Sequence, residues 1–451
     1  MIRRPVDDML RAAALRRSAH MPGHKGRAPF PCPDLYALDT TELPVTDNLW
    51  QPEGAVLEAE RLYAAASGAG CTFLLTGGAT AGVHAMLQLR AREGDAILLP
   101  RNAHLSAVNA CILGGLRPVW IPCRQTADGL PYIAEEDVLA GLDAHPEAKA
   151  LLLTRPDYFG GCIPMERIAA RAREFGIFLA VDEAHGAHLP WMERPRSASG
   201  WADAWVQSAH KTLPALTGCA VLHLRDPADR PRALTLLTRE QSSSPSYLLV
   251  RALDDARAWM ELHGRKRLRE TIAAANALRE SLPGMGLADA HKGWAETGCE
   301  FDPTRLVIDA PEGGAALAGA LQTAGIDVEM VDERRAVMIL TAMDTPEDIA
   351  ALGEALAGIP HRPVEFEQPA RIAALPEQRM TPREAVMART EPVPLAGAEG
   401  RICTASVGIY PPGVPLFVPG EVLHGEGLAD LLRAESRKRF GTDGDRVECV
   451  L

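Results

Sequence analysis

Seven short apolar runs recur between residues 54 and 224: TFLLT (72–76), AILLP (96–100), PVWIP (118–122), ALLLT (150–154), IFLAVD (177–182), AWVQS (204–208) and AVLHL (220–224). Between them lie stretches with apolar residues at helical spacing, such as AGVHAMLQLRARE (81–93) and MERIAARAREFG (165–176). Runs that are apolar on both faces and separated by helices predict a mostly parallel seven-stranded sheet covered on both sides. In such sheets ligands bind outside the carboxyl ends of the strands. Residues 249–282 predict one or two long helices. Beyond them RLVIDA (305–310), AVMILTA (336–342) and the helix PEDIAALGEALAG (346–358) predict a smaller α/β domain. The expected organisation is an N-terminal arm over 1–50, a large domain with its linking helix over 51–282, and a smaller C-terminal α/β domain over 283–451.

Three other segments carry weaker patterns. MIRRPVDDMLRAAALRRSAH (1–20) predicts a short amphipathic helix, because no apolar core follows its arginines as a signal peptide would require. The Pro- and Glu-rich segment 359–400 predicts a linker with a short helix. IYPPGVPLFVPGE (409–421), with prolines at 411, 412, 415 and 419, predicts a rigid loop without regular structure.

Composition narrows the class. With 47% hydrophobic and 24% charged residues, the 451-residue chain has the balance of a globular protein with sizeable cores. Its net charge of -12 argues against a nucleic-acid or anionic-membrane partner. No run approaches the ~20 apolar residues of a membrane span. The nine cysteines form no C-x-x-C pair, which fits reduced thiols and a cytoplasmic location. Only six of the 47 basic residues are lysines, at 25, 149, 211, 266, 292 and 438, so the list of possible amine nucleophiles is short.

The chemistry-bearing stretches all follow predicted strands. SAHKT (208–212) puts Lys211 just past AWVQS, and DEAHGAH (182–188) puts Asp182 at the end of IFLAVD. A lysine desolvated at a strand end has a depressed pKa and can attack a carbonyl. Pyridoxal 5′-phosphate (PLP) uses such an amine, and needs a carboxylate to keep its ring nitrogen protonated. TGGATAG (76–82) offers Gly78, Ala79 and Thr80 where a helix N-terminus can face a phosphate. RNAHLS (101–106) places His104 where its ring could stack on an aromatic cofactor or serve only as a loop residue. DEAHGAH also holds ligand types suited to zinc. Its acids precede its histidines, however, and Gly186 and Pro190 oppose the helix that H-E-x-x-H requires, so no metal is expected.

Taken together, MPGHKGR (21–27), DTTELPVTDNL (39–49), TGGATAG, RNAHLS, PDYFGG (156–161), VDEAHGAHL (181–189), DAWVQSAHKTLPALTG (203–218), SSSPSYLL (242–249) and YPPGVPLFVPGE (410–421) resemble the Orn/Lys/Arg decarboxylase family in its short form, a group of PLP-dependent fold type I enzymes. The motifs run in order through nearly the whole chain. The resemblance implies that Lys211 carries PLP covalently, Asp182 pairs with the ring nitrogen, His104 stacks on the ring and His185 lies near ring and substrate. It implies a phosphate site from Gly78, Ala79, Thr80, Ser208 and His210. It further implies that Ser243 and Ser244 reach a neighbouring subunit's cofactor, in a homodimer or higher oligomer with shared active sites. Two positions depart from the family pattern: Ala79 replaces a hydroxyl residue, and Gly77 an asparagine. The receiver-like domain of the long inducible enzymes is not expected.

The activity implied is decarboxylation of lysine, arginine or ornithine to CO₂ and a polyamine-type amine. Glu42, Asp47 and Glu421 are the acids expected to meet the substrate's distal cation. An aminotransferase or a β/γ-lyase on the same scaffold is the competing reading, and a non-catalytic binding protein is a third.

Overall fold

The structure, a computed structural model, describes residues 14–31, 35–43, 45–362, 375–409, 415–435 and 438–451. The seven apolar runs form strands β1 (Cys71–Leu75), β2 (Ala96–Pro100), β3 (Arg117–Ile121), β4 (Ala150–Thr154), β5 (Phe178–Asp182), β6 (Ala204–Gln207) and β7 (Ala220–Leu224). They make one sheet in the order β1-β7-β6-β5-β4-β2-β3. Only β7 runs antiparallel to its neighbours.

Every residue of β1, β2, β5 and β7 is buried, for a visible reason. Phe73 and Leu75 pack with Val83 and Met86 of helix α1 (Ala79–Gln88) on one face. Leu74 and Val221 pack on the other with Tyr63 and Leu253. Each such large side chain removed from water contributes about 1.5–3 kcal/mol. Strands without a polar face can be satisfied only between two helical layers.

The second region has its own sheet, β8 (Ala288–Asp289), β9 (Arg305–Asp309), β11 (Met330–Val331) and β12 (Arg335–Ile339), in the order β8-β9-β12-β11. The 249–282 pattern is two helices, Tyr247–Trp259 and Arg265–Ser281, joined by a π turn. Leu306, Ile308, Met338, Ile349 and Leu352 form the core of this region. Residues 375–451 hold a separate core that includes Val393, Val407, Phe417, Leu428 and Val447. The stretch expected as one C-terminal domain therefore contains two cores.

Three sequence expectations change. Residues 1–13 of the expected amphipathic helix lie outside the described residues, and Arg17–Ala19 is a strand, parallel to β10 (Ile326–Val328). The edge of that short strand outcompetes local helix propensity. In the segment expected to be linker plus short helix, Pro382–Met387 is helical, but Thr390–Pro394 is a strand paired with Arg446–Val450. Residues 410–414 of the expected loop are not among those described, whereas Pro415–Phe417 is an edge strand on Val407–Ile409. Proline is tolerated as the first residue of an edge strand, where its missing N–H disturbs no ladder.

Residues 20–27 lie between the two sheets. Gly23 N–H donates to His210 O at 2.7 Å, and Thr341 Oγ1 donates to Gly23 O at 2.9 Å. A Cβ at Gly23 would stand 2.6 Å from Leu213 O, so no larger residue fits without moving backbone. Lys25 Nζ donates to His20 O and Ile339 O, both at 2.7 Å, with Asp344 at 3.9 Å. This geometry explains the PGHKG run: one glycine allows close approach, and one lysine ties the arm to the smaller sheet.

Candidate active site

The parallel register pairs Asp182 with Thr154 on β4 and with Val206 on β6. Asp182 therefore ends β5 beside the end of β6, from which the short helix Ala209–Thr212 carries Lys211. The Asp182 carboxylate is buried and accepts from Ala184 N–H at 3.0 Å. Lys211 Nζ lies 3.1 Å from His185 Nε2. Desolvation pushes the Lys211 pKa down; the charges of Asp182 and Glu329 oppose that shift, while Arg305 adds to it.

The remaining acids and histidines of DEAHGAH point elsewhere. Glu183 is fully buried and accepts from Ser197 Oγ at 2.8 Å, Ala198 N–H at 2.6 Å and Gln207 Nε2 at 2.6 Å. His188 sits 3.2 Å from both Asp302 Oδ1 and Thr304 Oγ1. His185 meets Lys211 through Nε2 and Arg305 Nη2, at 3.2 Å, through Nδ1. Three side chains diverging to three partners cannot share one ion. Among the described residues no group of three or more His, Cys, Asp or Glu is arranged to hold a metal.

His104 stands at the start of the helix Leu105–Gly114, where its Nδ1 accepts from Ser106 N–H at 3.1 Å. Solvent reaches the ring, yet the cleft hems it in enough for desolvation to lower its pKa. Asp182 opposes that shift and Lys211 adds to it, which places all three around one cleft. Gly78, at φ +76°, precedes α1, whose first turn has no side-chain cap. The N–H groups of Thr76 and Gly77 donate to Gln241 Oε1, both at 3.1 Å, so this part of the glycine loop is already satisfied. Ala79 and Thr80 open α1 itself. Ser208 is buried just before Lys211. His210 donates through Nδ1 to Cys219 O at 2.9 Å, which leaves Nε2 for another partner.

Two of the acids expected to meet substrate are engaged structurally. Asp47 accepts from the N–H groups of Asn48, Glu53, Gly54 and Val56, at 2.9–3.0 Å, and so anchors the start of the helix Ala55–Ser67. Glu421 is fully buried, with both oxygens on Arg101 at 2.8 and 2.7 Å and Val418 N–H at 2.8 Å. It latches the 375–451 core to the loop that carries His104. Four donors fill the lone pairs of Asp47, and three donors with the Arg101 charge commit Glu421 to structure, so neither carboxylate is set to face a substrate cation in this chain. Glu42 is half-buried and accepts from Thr41 Oγ1, and Ser243 and Ser244 are exposed.

The structure also brings Glu329 to the cleft. Its carboxylate accepts from Tyr158 Oη at 2.7 Å and Met21 N–H at 3.1 Å, and its charge acts on both Lys211 and His210. The Tyr158 ring meets His185 edge-on at 5.0 Å. Tyr158 belongs to the PDYFGG motif, but Glu329 and Arg305 carried no signal beyond lying in or beside short apolar runs.

A seven-stranded, mostly parallel sheet with a lysine and an aspartate at adjacent strand ends defines the large domain of the PLP-dependent fold type I class. The comparisons agree. The structure superposes on lysine decarboxylase A from Pseudomonas aeruginosa with a TM-score of 0.80 at 21% identity, covering 92% of this chain and 74% of that one. It also matches alanine–glyoxylate aminotransferase from Nostoc sp. with a TM-score of 0.57 at 17% identity, over 76% and 94% of the two chains. The family model for the Orn/Lys/Arg decarboxylase major domain matches residues 20–297, and the one for the C-terminal domain matches 366–439. The arginine decarboxylase of Bacillus subtilis (strain 168) is 32% identical over 440 residues, 92% of this chain and 89% of the relative. The chain belongs to the Orn/Lys/Arg decarboxylase family, whose members are PLP-dependent lyases.

Proposed function

We propose that this chain uses PLP to decarboxylate a basic amino acid at the Lys211–Asp182 cleft, releasing CO₂ and a polyamine-type amine. The observation that carries this reading is the placement of Lys211, with desolvated Nζ, beside Asp182 on the neighbouring strand end. The donor set suits the cofactor. An amine faces an aldehyde, a buried carboxylate a pyridinium nitrogen, an uncapped helix start a phosphate, and the His104 ring an aromatic face. Bound there, PLP supplies the carbonyl that captures an amine and the ring that accepts electrons as the carboxylate leaves. Asp182 holds a fixed negative charge at the strand end. Lys211 Nζ and His185 Nε2 form a pair able to pass a proton to the substrate's Cα. His210 and Ser208, with Gly78, Ala79 and Thr80, are assigned to the phosphate.

Glu329 is the acid we assign to the distal cation. Tyr158 and Met21 fix its carboxylate within electrostatic reach of Lys211, and Lys25 acts on the same neighbourhood from the arm. Glu329→Gln is expected to raise KM for the basic substrate about 10- to 100-fold, the loss of one charge-assisted contact, with a smaller change in kcat. The assay that tests the function is purified protein with PLP and arginine, lysine or ornithine, following CO₂ and the amine. Arginine comes first because the B. subtilis relative is named for it. Keto-acid formation without CO₂ would establish the aminotransferase reading instead.

The working unit is proposed to be a homodimer, with Ser243, Ser244 and Glu42 serving the partner's site. Leu35, Tyr36, Leu38, Leu43 and Val45 crowd one segment and are all exposed in the single chain, Tyr36 and Val45 to 91% and 90%. Such a patch suits burial against a second copy. The mass in solution should be that of two chains; a monomer with full activity would exclude shared sites. No helix among the described residues is long and apolar enough to cross a membrane. The eight described cysteines are free, which supports a cytoplasmic location.

A further inference from the structure

Arg305 opens β9 in the smaller sheet and is fully buried, yet it reaches the large domain's lysine through one histidine. Its Nη2 is 3.2 Å from His185 Nδ1, and His185 Nε2 is 3.1 Å from Lys211 Nζ. The protonation states of this row follow from donor counting. A guanidinium has only N–H donors and stays charged in proteins, so His185 Nδ1 must accept. A neutral imidazole has one proton, which must then sit on Nε2, facing Lys211. Lys211 Nζ must in turn accept, and only an uncharged amine has the lone pair to do so.

We propose that Arg305 is a positioning residue that locks His185 as its Nε2–H tautomer and so holds Lys211 as a free amine before any cofactor arrives. The inference rests on reading Lys211 as the amine that captures a carbonyl cofactor. A doubly protonated His185 would set donor against donor at Arg305. Turning the ring over would set carbons against both partners. The charges around the row agree. Asp157 and Asp302 feel the Arg305 charge, so two acids lie near a guanidinium whose Nε and Nη1 have no hydrogen-bond partner. Desolvation and the Arg305 charge keep His185 from protonating. Asp182 and Glu329 are the acids facing Lys211; they favour its ammonium form, and Arg305 opposes them.

The test uses the full chain without cofactor. Nitrogen-15 NMR of its histidines, with His185 assigned through His185→Gln, should show Nδ1 bare and Nε2 protonated at neutral pH. In the same protein, the pH dependence of Lys211 acylation gives its free-amine fraction. Arg305→Met removes both the donor and a positive charge, so the Lys211 pKa should rise. A displacement of about one unit in the labelling pH profile is expected, together with redistribution of the His185 tautomers. Arg305→Lys keeps a donor and should restore both readouts. A wild-type His185 protonated on Nδ1 would overturn the proposal. So would a folded Arg305→Met variant with unchanged tautomer and labelling. If Arg305→Met does not fold, the wild-type spectrum alone decides. Should borohydride trap the cofactor on a lysine other than 211, the functional reading fails, while the tautomer of His185 is still measured.

Discussion

Lys211→Ala is expected to leave the fold intact, to lose the absorbance of lysine-bound cofactor, and to reduce kcat by at least roughly 10³-fold. The stability expectation follows from the local contacts. Among the described residues Lys211 makes one side-chain hydrogen bond, to His185, and it is a desolvated amine in a partly open cleft. Removing a group whose charged form burial already disfavours costs little, about 1 kcal/mol or less. The catalytic expectation follows from a comparison of the two lysines near the site. Burial lowers the pKa of Lys25 as well, but its Nζ is tied to two carbonyl oxygens and faces Asp344, so it is held against the arm and the smaller sheet. Among the described residues Lys211 has only the His185 nitrogen for a close partner. One lysine therefore ties the arm in place, and the other is available for covalent chemistry. Borohydride reduction followed by peptide mass analysis checks this directly. Wild type should carry the adduct on the peptide containing Lys211, and Lys211→Ala should carry none. An adduct on Lys25 in either protein, or turnover near wild type in the variant, would sink the assignment.

How far the sequence reaches can be judged residue by residue. The seven strands were legible because a buried parallel sheet needs apolar residues on both faces, a demand that local sequence displays. Lys211 and Asp182 were legible because each directly follows such a run, and β5 and β6 are neighbours. The acids are harder to read, for a different reason. A carboxylate looks the same in sequence whether its lone pairs accept helix-start N–H groups, as in Asp47, or face a buried guanidinium, as in Glu421. Glu329 and Arg305 were missed because their partners are remote: Tyr158 lies 171 positions from Glu329, and His185 lies 120 from Arg305. The smaller sheet delivers both to the cleft, and no local spacing encodes that docking. The strand at Arg17–Ala19 was missed for the same reason, since its partner is Ile326–Val328.

Asp182→Asn should be nearly as damaging as loss of the lysine, with kcat down on the order of 10²–10³-fold and little change in stability. The isosteric amide can keep the hydrogen bond from Ala184 N–H through its oxygen, so the turn after β5 survives. Asp182→Ala loses that bond and should cost about 1 kcal/mol more, a shift of about 2–4 °C in Tm, while still folding. What both variants lose is the fixed negative charge. Two routes could connect that charge to turnover, and they predict opposite signs. If Asp182 acted mainly by tuning Lys211, its removal would take away a charge that raises the lysine's pKa, and more free amine would be present at neutral pH. Covalent capture of cofactor would then be as fast as in wild type or faster. If Asp182 acts by holding a proton on the cofactor's ring nitrogen, capture survives and the carbon–carbon bond cleavage slows. The expected result for Asp182→Asn is therefore a protein that still forms the borohydride-trappable link to Lys211, absorbs at a shifted wavelength, and releases CO₂ slowly. Loss of covalent capture in a folded Asp182→Asn would contradict this division of labour, and so would unchanged turnover. The same substitution also removes the charge that supports the protonated form of His104, so the His104 pKa should fall further. That shift gives a spectroscopic check, independent of activity, that the carboxylate reaches the cofactor cleft.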